Sequence, residues 1–452
     1  MDRELIKNRE EILDHGNSCL RQEILSIIQA GIISGDPGTG TRRQVRLSDG
    51  NLWVGTRFYR LDEINMIYIV GAGKGSFPIA EALETILGER ISEGVCVVKR
   101  GETRRLKHIE IYEASHPIPD DTSLEGAKKI LRIARQAGEG DVVFAAVTGG
   151  SSALVTMPPE WISLEEIQQL NDLLLKSGAT IQEMNIVRKH LCQLKGGQLV
   201  AHIQPAEAIT LTLDTAPEGM PWPDMCLADP STFRDAISVL RHFDLWEAVS
   251  PSIQKYLQEG LHHPDLETIK SLAGMKTSIV SVGDPVSMCI AAAESARTLG
   301  YVPYILSTKL EGEAREAGIS MAGIVKEIMS YQRPFKTPCA LISGGETTVT
   351  IKGKSGQGGP NQEFALGFIS KMKSRSEFAC VSIDSDGTDG PTSIAGGVVD
   401  DHTWEEAEKK DLDINEYLKN HNSSEILQHL GSAIITGHTG TNLQNLRVVL
   451  IR

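Results

Sequence analysis

The sequence predicts an α/β fold built as two layers, on three observations. The first is DVVFAAVTGGSSAL at 141–154, where six apolar residues follow a charged one without alternation. A strand buried on both faces of a parallel sheet reads this way. It runs directly into Thr148-Gly149-Gly150-Ser151-Ser152. The second is CALISGGETT at 339–348, where another apolar run empties into Gly344-Gly345 and then Glu346 and two threonines. The third is MIYIVGAGKGSFPIAEAL at 66–83, a strand that feeds a glycine turn and then a helical pattern. In open α/β sheets ligands settle outside the carboxyl ends of the strands. Glycines there admit an anion close to the backbone, and hydroxyls and N–H groups supply donors. Two such turns suggest two α/β layers presenting them to a shared cleft. Taken singly, either turn reads better as an ordinary tight connection.

Length and composition bound the rest. At 452 residues the chain has room for two domains, each with its own core. Hydrophobic residues at 40% and charged residues at 23% describe an ordinary globular protein. A net charge of −14 argues against nucleic acid and anionic membrane surfaces as partners. The seven cysteines are scattered and never form CxxC, which fits reduced thiols rather than a disulfide framework or a zinc site. With no long apolar run and no signal-like start, the expectation is a cytoplasmic protein.

In chain order, residues 2–33 carry Ile6, Ile12, Leu20, Ile24, Ile27 and Ile28 at helical spacings, and a Gly/Pro/Thr-rich break is expected at 35–41. VRLSDGNLWVGTRFYRL follows as a hairpin turning at Asp49-Gly50. The turn after the 66–70 strand holds Gly71, Gly73, Lys74 and Ser76. A helix N-terminus favours phosphate or carboxylate there, and Lys74 adds a cation where the backbone already welcomes an anion. The turn is neither a Walker A motif nor GxGxxG, and a solvated lysine on an ordinary turn is the bland alternative. Short strands at 94–99 and 108–113 lead to Ser115-His116-Pro117-Ile118-Pro119-Asp120-Asp121, a stiff loop presenting His116 as a candidate base.

Ser163 and Glu166 form a capping box that starts a helix ending near Ser177-Gly178. A second helix from about Ile181 is expected to carry Asn185, Arg188, Lys189 and Lys195. Arg188 and Lys195, seven apart, would lie on one stripe as an anion seat. AITLTL at 208–213 then opens into a long Pro- and Asp-rich loop over 214–229, a length usually functional when it occurs in a compact domain. A helical bridge over 231–272 precedes a second α/β series beginning with TSIVSVGD at 277–284. Val349–Ile351 read as a strand, and Asn361-Gln362-Glu363 open a helix. Asp386, Thr388 and Asp389 crowd a strand end, a donor set suited to Mg²⁺ or sugar hydroxyls.

Taken together, GAGK, SHPIPD, TGGSSAL, INxVRKHLxxxKGG, SGGETTV, GGxNQE and DGTDGPTxxAG resemble the glycerate 2-kinase family in content and order. The C-terminal part resembles the domain named for a multi-organism fragment rich in leucine, and some members carry a hydroxypyruvate reductase label. The resemblance implies a Rossmann-like N-terminal domain (1–245) and a smaller α/β domain (246–452), with the site in the cleft between them. The closing strand is left free to return to the first domain. It implies an ATP- and Mg²⁺-dependent kinase acting on the 2-hydroxyl of glycerate or a related hydroxy acid. Lys74 and Asp389 are then catalytic, and Asp386 and Asp389 hold the metal. Gly71, Gly73, Ser76, His116, Gly149, Gly150, Ser151, Ser152, Asn185, Arg188, Lys195, Gly344, Gly345, Glu346, Asn361, Gln362, Glu363 and Thr388 contact nucleotide or acid. The implied partners are a small hydroxy acid and a nucleotide; homo-oligomerisation is left open.

The chain departs from the family pattern at three places. Pro360 stands where the family has an arginine, the 214–229 loop is shortened and altered, and TGPTGTN has become TGHTGTN. An arginine facing developing phosphoryl charge is worth on the order of 10³-fold or more in rate. His438, Lys352, Lys354 and Arg315 are candidate replacements for it. A paralogue that binds a metabolite without turnover is the alternative function. A reductase is the weaker third, since no GxGxxG follows a strand.

Overall fold

The computed structural model describes residues 4–101, 104–116, 118–214, 224–351, 355–373 and 376–452. The chain forms two compact units, Pro37–Val282 and a split unit of Met1–Asp36 with Gly283–Arg452. The expected boundary near 245 is therefore displaced, and two segments change sides. The strand at 277–283 belongs with the first sheet, and the N-terminal helices belong with the C-terminal half.

In the 37–282 unit, β1 (Val45–Ser48), β2 (Asn51–Val54) and β3 (Arg57–Arg60) form a small antiparallel sheet. Asp49 and Gly50 have φ of 52° and 74°, the left-handed pair that an Asp-Gly hairpin turn requires. The main sheet comprises β4 (Ile67–Ala72), β5 (Ile91–Lys99), β6 (Glu110–Ala114), β7 (Val142–Val147), β8 (Glu207–Leu213) and β9 (Thr277–Gly283). Its order is β6-β5-β4-β7-β8-β9, and neighbours from β6 through β8 run parallel. Every residue of β4 and β7 is buried, as their unalternating apolar runs predict. From β4 the chain winds outward through β5 and β6, then returns to start β7 on the other side. The β4–β7 junction is thus the topological switch point, where an open α/β sheet leaves a crevice at its carboxyl edge.

The split unit has β10 (Val302–Ser307), β11 (Cys339–Gly345), β12 (Phe378–Asp384), β13 (Gly396–Asp400), β14 (Ala433–Ile434) and β15 (Asn445–Ile451), in the order β10-β11-β15-β12-β13-β14. Only β10–β11 is parallel; β15 lies antiparallel between β11 and β12. The closing strand thus sits at the centre of this sheet and does not return to the first domain. Helix Ser18–Ser34 packs on it because Leu20, Ile24, Leu25, Ile27 and Ile28 form one fully buried face. Gly31 permits the approach, since a Cβ there would lie 2.8 Å from the Leu446 side chain.

Four local expectations change. The 2–33 helix breaks into Arg9–Leu13 and Ser18–Ser34, with Gly16 at φ 61° between them. The expected break at 35–41 is itself helical, Pro37–Gln44, because Pro37 can start a helix without an N–H. Helix Ile181–His190 ends before Lys195, so Arg188 and Lys195 do not share a helical stripe. Val349–Ile351 form no strand; Thr348 makes a single bridge to Glu313. Helix Leu164–Lys176 does carry the predicted Ser163–Glu166 capping box. None of the seven cysteines is in a disulfide, and among the described residues no helix is long and apolar enough to cross a membrane.

The ends of the split unit are tied by a buried ion pair. Arg21 Nε lies 2.5 Å from Asp400 Oδ2, both side chains fully buried, and Arg21 Nη1 donates to Ile12 O at 3.1 Å. Removing one partner strands the other charge, whereas replacing both removes two desolvated charges together. Arg21→Ala is expected to lower unfolding stability by about 3–5 kcal/mol, and Arg21→Met with Asp400→Leu to recover most of it. Urea denaturation of the three proteins checks this; a double variant no better than the single would refute it.

Candidate active site

At the switch point the two glycine turns interlock. Thr148, just past β7, accepts a bond on Oγ1 from Gly75 N–H (2.9 Å) and lies 3.1 Å from Ser76 Oγ. Lys74 N–H donates to Gly149 O at 2.8 Å. Gly73 makes the approach feasible: its φ is 141°, and a Cβ there would sit 2.1 Å from Thr148 Oγ1. Ser76 starts helix Ser76–Leu87 and donates from its hydroxyl to Ala146 O at 2.8 Å. Fully buried, it fixes the turn from inside rather than facing a ligand. Gly71 lies within β4, where a Cβ would meet Cys96 Sγ at 2.9 Å, so its role is sheet packing.

What the interlock presents outward is Lys74, Gly150 and His116. Gly150 is left-handed at φ 89°, and a Cβ on it would lie 3.2 Å from Lys74 Cγ and 3.3 Å from His116 Nε2. The bare backbone of Gly150 thus lies between a lysine and an imidazole, all three partly exposed. Asp120, from the same Pro-rich loop as His116, is turned to structure: it caps helix Asp121–Gln136 through Thr122 and Ser123 N–H. Pro117 lies outside the described residues.

Beside the Gly149–Ser152 turn is a cationic group. Lys195, buried, donates from Nζ to Ser152 O at 2.7 Å. Arg188 donates from Nε to Asn171 Oδ1 at 2.7 Å. Burial lowers both their pKa values, more than the nearby Asp224 charge restores. Lys189, unremarked in the sequence beyond its charge, is paired with buried Asp229 at 2.8 Å. The hydroxyls of Ser151 and Ser152 and the Asn185 Oδ1 atom are buried without hydrogen-bond partners. Lys195 thus meets the TGGSS turn through Ser152 O, and Arg188 lies close enough for its charge to lower the Lys195 pKa, without the shared helical stripe expected.

In the split unit the second glycine pair serves differently. Gly345, at φ 110°, lets the chain at Leu310 cross over it, since a Cβ would lie 2.2 Å from Leu310 N. Gly344 O accepts the Leu310 N–H at 3.0 Å, and Glu346 is exposed beyond. Asn361 and Gln362 are fully buried. Both donate to Asp389: Asn361 N and Nδ2 to Oδ1 at 3.1 and 3.0 Å, Gln362 N and Nε2 to Oδ2 at 3.0 Å each. Asp389 therefore caps helix Pro360–Ile369 from a distant loop, with both oxygens occupied. Pro360 suits position N1, where an N–H would have no helical partner. Glu363 is buried against His421 Nδ1 at 2.7 Å, and burial raises its pKa. The expectation that Asn361, Gln362, Glu363 and Asp389 meet ligand is thus replaced by a helix cap and a buried pair.

Asp384 and Asp386 follow at the end of β12. Asp386 Oδ1 accepts from Thr388 N and Oγ1 at 2.8 and 2.7 Å, and Asp384 Oδ1 accepts from Asp386 N at 3.0 Å. Burial, then the charge of Asp386, raises the Asp384 pKa well above the usual range. A cation that sequence reasoning missed lies among them. Arg447 of β15 is buried, with Nε and Nη1 unpartnered and Nη2 donating to Thr347 Oγ1 at 2.7 Å. Burial lowers its pKa to about 10 against the pull of Asp389, Glu346 and Asp384. A single arginine in an apolar strand, LRVVLI, was the available signal. Of the proposed replacements for the family arginine, Lys352 and Lys354 lie outside the described residues. His438 is exposed, and Arg315 bonds Glu316 at 3.0 Å.

Asp389→Ala should unfold more easily by about 3–5 kcal/mol, because buried donors lose their acceptor. Asp386→Ala, which loses one local turn, should change stability by about 1 kcal/mol. Equal stability of the two variants in guanidinium titrations would show that Asp389 is not the cap described.

Comparison with known proteins agrees with this architecture. Residues 23–258 match a family described as a domain of unknown function (DUF4147), and residues 339–445 match the MOFRL family. The chain is 39% identical over 434 residues to the glycerate 2-kinase of Pyrococcus horikoshii, covering 96% of this chain and 97% of that one. It is 38% identical over 397 residues to the D-glycerate 2-kinase of Thermotoga maritima, covering 86% and 91%. The fold matches a crystal structure of glycerate kinase from Thermotoga maritima with a TM-score of 0.84 at 34% identity, covering 97% of this chain and all of that one. By sequence along nearly its whole length and by fold, the chain belongs to the glycerate 2-kinase family.

Proposed function

We propose that this protein transfers the terminal phosphoryl group of ATP to the 2-hydroxyl of D-glycerate. The observation that carries the proposal is the convergence of Lys74, His116 and the bare Gly150 backbone at the switch point of the parallel sheet. Phosphoryl transfer needs little covalent chemistry from the protein, so positioned cations and donors supply most of the catalysis. Lys74 neutralises charge building on the transferring group. His116 serves to accept the proton of the attacking hydroxyl. Arg188 and Lys195 hold the acid's carboxylate.

Within the split unit, Asp384 and Asp386, neither of them spent on the helix cap, would hold a magnesium ion. Oxygen donors suit this hard cation, which commonly takes one or two carboxylates and keeps its phosphate and water ligands. The two residues fit it, since they supply carboxylate oxygens two positions apart at the end of β12. Bound there, the metal would supply charge neutralisation on the phosphates.

A coupled ADP-release assay across C3–C6 sugar acids tests the proposal. Wild type should turn over D-glycerate, and Lys74→Ala should lower kcat/KM by at least about 10²-fold with an unchanged melting temperature. Release of no ADP with any acid would overturn it.

A further inference from the structure

Asp224 is an anomaly that the mechanism above does not use. Its side chain is buried, and neither carboxylate oxygen makes a well-formed hydrogen bond, the Met225 N–H being the one backbone donor close enough to lower its pKa. Burial raises its pKa, opposed first by the charge of Lys195 and then by that of Lys189. Lys195, itself buried, spends only one bond, on Ser152 O. Opposite charges have thus been taken out of water side by side without closing on each other. The adjacent pair shows what closure looks like here. Asp229 takes Lys189 Nζ and Ser231 Oγ on one oxygen, at 2.8 and 2.7 Å, and Thr268 Oγ1 on the other at 3.0 Å. An unclosed buried pair is costly unless something else completes it.

The incomplete groups specify their complement. Arg188 is held at Nε by Asn171, so its two-pronged end is left for an outside acceptor, and Lys195 has donors to spare. Asp224, when ionised, and Asn185 Oδ1 can only accept, while the Ser151 and Ser152 hydroxyls can do either. The cations call for a carboxylate and the acceptors for hydroxyl hydrogens. Asn185, Arg188 and Ser152 keep part of their surface open, giving the side of approach.

We propose that Asp224 is a specificity-determining residue, accepting the hydroxyl next to the phosphorylated one in a short polyhydroxy acid whose carboxylate Arg188 and Lys195 hold. This rests on the hydroxy-acid reading above and narrows it to acids with a second hydroxyl. A site built around such an acceptor disfavours the analogue lacking the hydroxyl, because the carboxylate is then left unpaired.

The test is calorimetric titration of D-glycerate and of D-lactate, which lacks only the 3-hydroxyl, into wild type and Asp224→Asn with Mg²⁺ and a non-hydrolysable ATP analogue. Wild type should bind glycerate about 10- to 100-fold more tightly than lactate. In Asp224→Asn the ratio should fall to about 2-fold through loss of glycerate affinity. The denaturation midpoint should hold or rise, because an unpaired buried charge is gone; Asp229→Asn should lower it. An unchanged ratio in Asp224→Asn overturns the proposal, as does a wild type that binds both acids equally or neither. Should Asp224→Asn not fold, Asp224→Ser is titrated in its place, with the same fall in ratio expected and an unchanged ratio overturning the proposal. Discriminating binding without ADP release would sink the kinase reading and leave this one standing.

Discussion

The contact between Gly73 and Thr148 is the constraint on which the catalytic side of the molecule depends. Two parallel strands at a switch point diverge into separate turns, and nothing in sheet geometry alone holds those turns together. Here one hydroxyl accepts the Gly75 N–H and meets Ser76, and it can do so only because residue 73 has no Cβ. The bond from Lys74 N–H to Gly149 O then sets where the lysine starts, and Gly150 leaves space for its stem beside His116. Catalysis by positioned charge tolerates little looseness, so the packing behind the turn matters as much as the charge in front of it.

The sequence made the fold legible wherever burial was total. β4, β7 and β11 are read from unbroken apolar runs, and the Asp49-Gly50 hairpin and the Ser163–Glu166 cap from local chemistry. It misassigned segments whose partner is remote. Nothing between residues 277 and 283 tells which of two sheets the strand extends, and helix Ser18–Ser34 shows only that it has an apolar face, not whose core receives it. Such assignments are decided by long-range packing rather than by periodicity.

The site was legible by position more than by role. Motif order brought out Lys74, His116 and the TGGSS turn, and these do gather. The same logic picked Asn361, Gln362 and Asp389, whose polar atoms are instead used on one another to fix the start of a helix. A polar side chain looks alike in sequence whether its partner is a ligand or a neighbour; only burial and bond counts separate the two. Asp224 and Arg447 went unmarked for the converse reason. A lone aspartate in a Pro-rich loop and a lone arginine in a strand carry no spacing signal, and it is the buried polar atoms they leave unsatisfied in the folded state that set them apart.

The split unit also has a history in time. Arg21 closes on Asp400, 379 positions later, and Asn8 donates to Ala433 O, 425 positions later. Residues 37–282 form one continuous compact stretch between those partners. On a ribosome adding about 5–20 residues per second, that stretch is complete while the opening helices still lack the sheet they cover. For on the order of half a minute, the apolar face of helix Ser18–Ser34 is without the strands it finally covers. The order of synthesis and the order of assembly therefore run opposite ways in this chain, and helix Ser18–Ser34 waits longest for its partner.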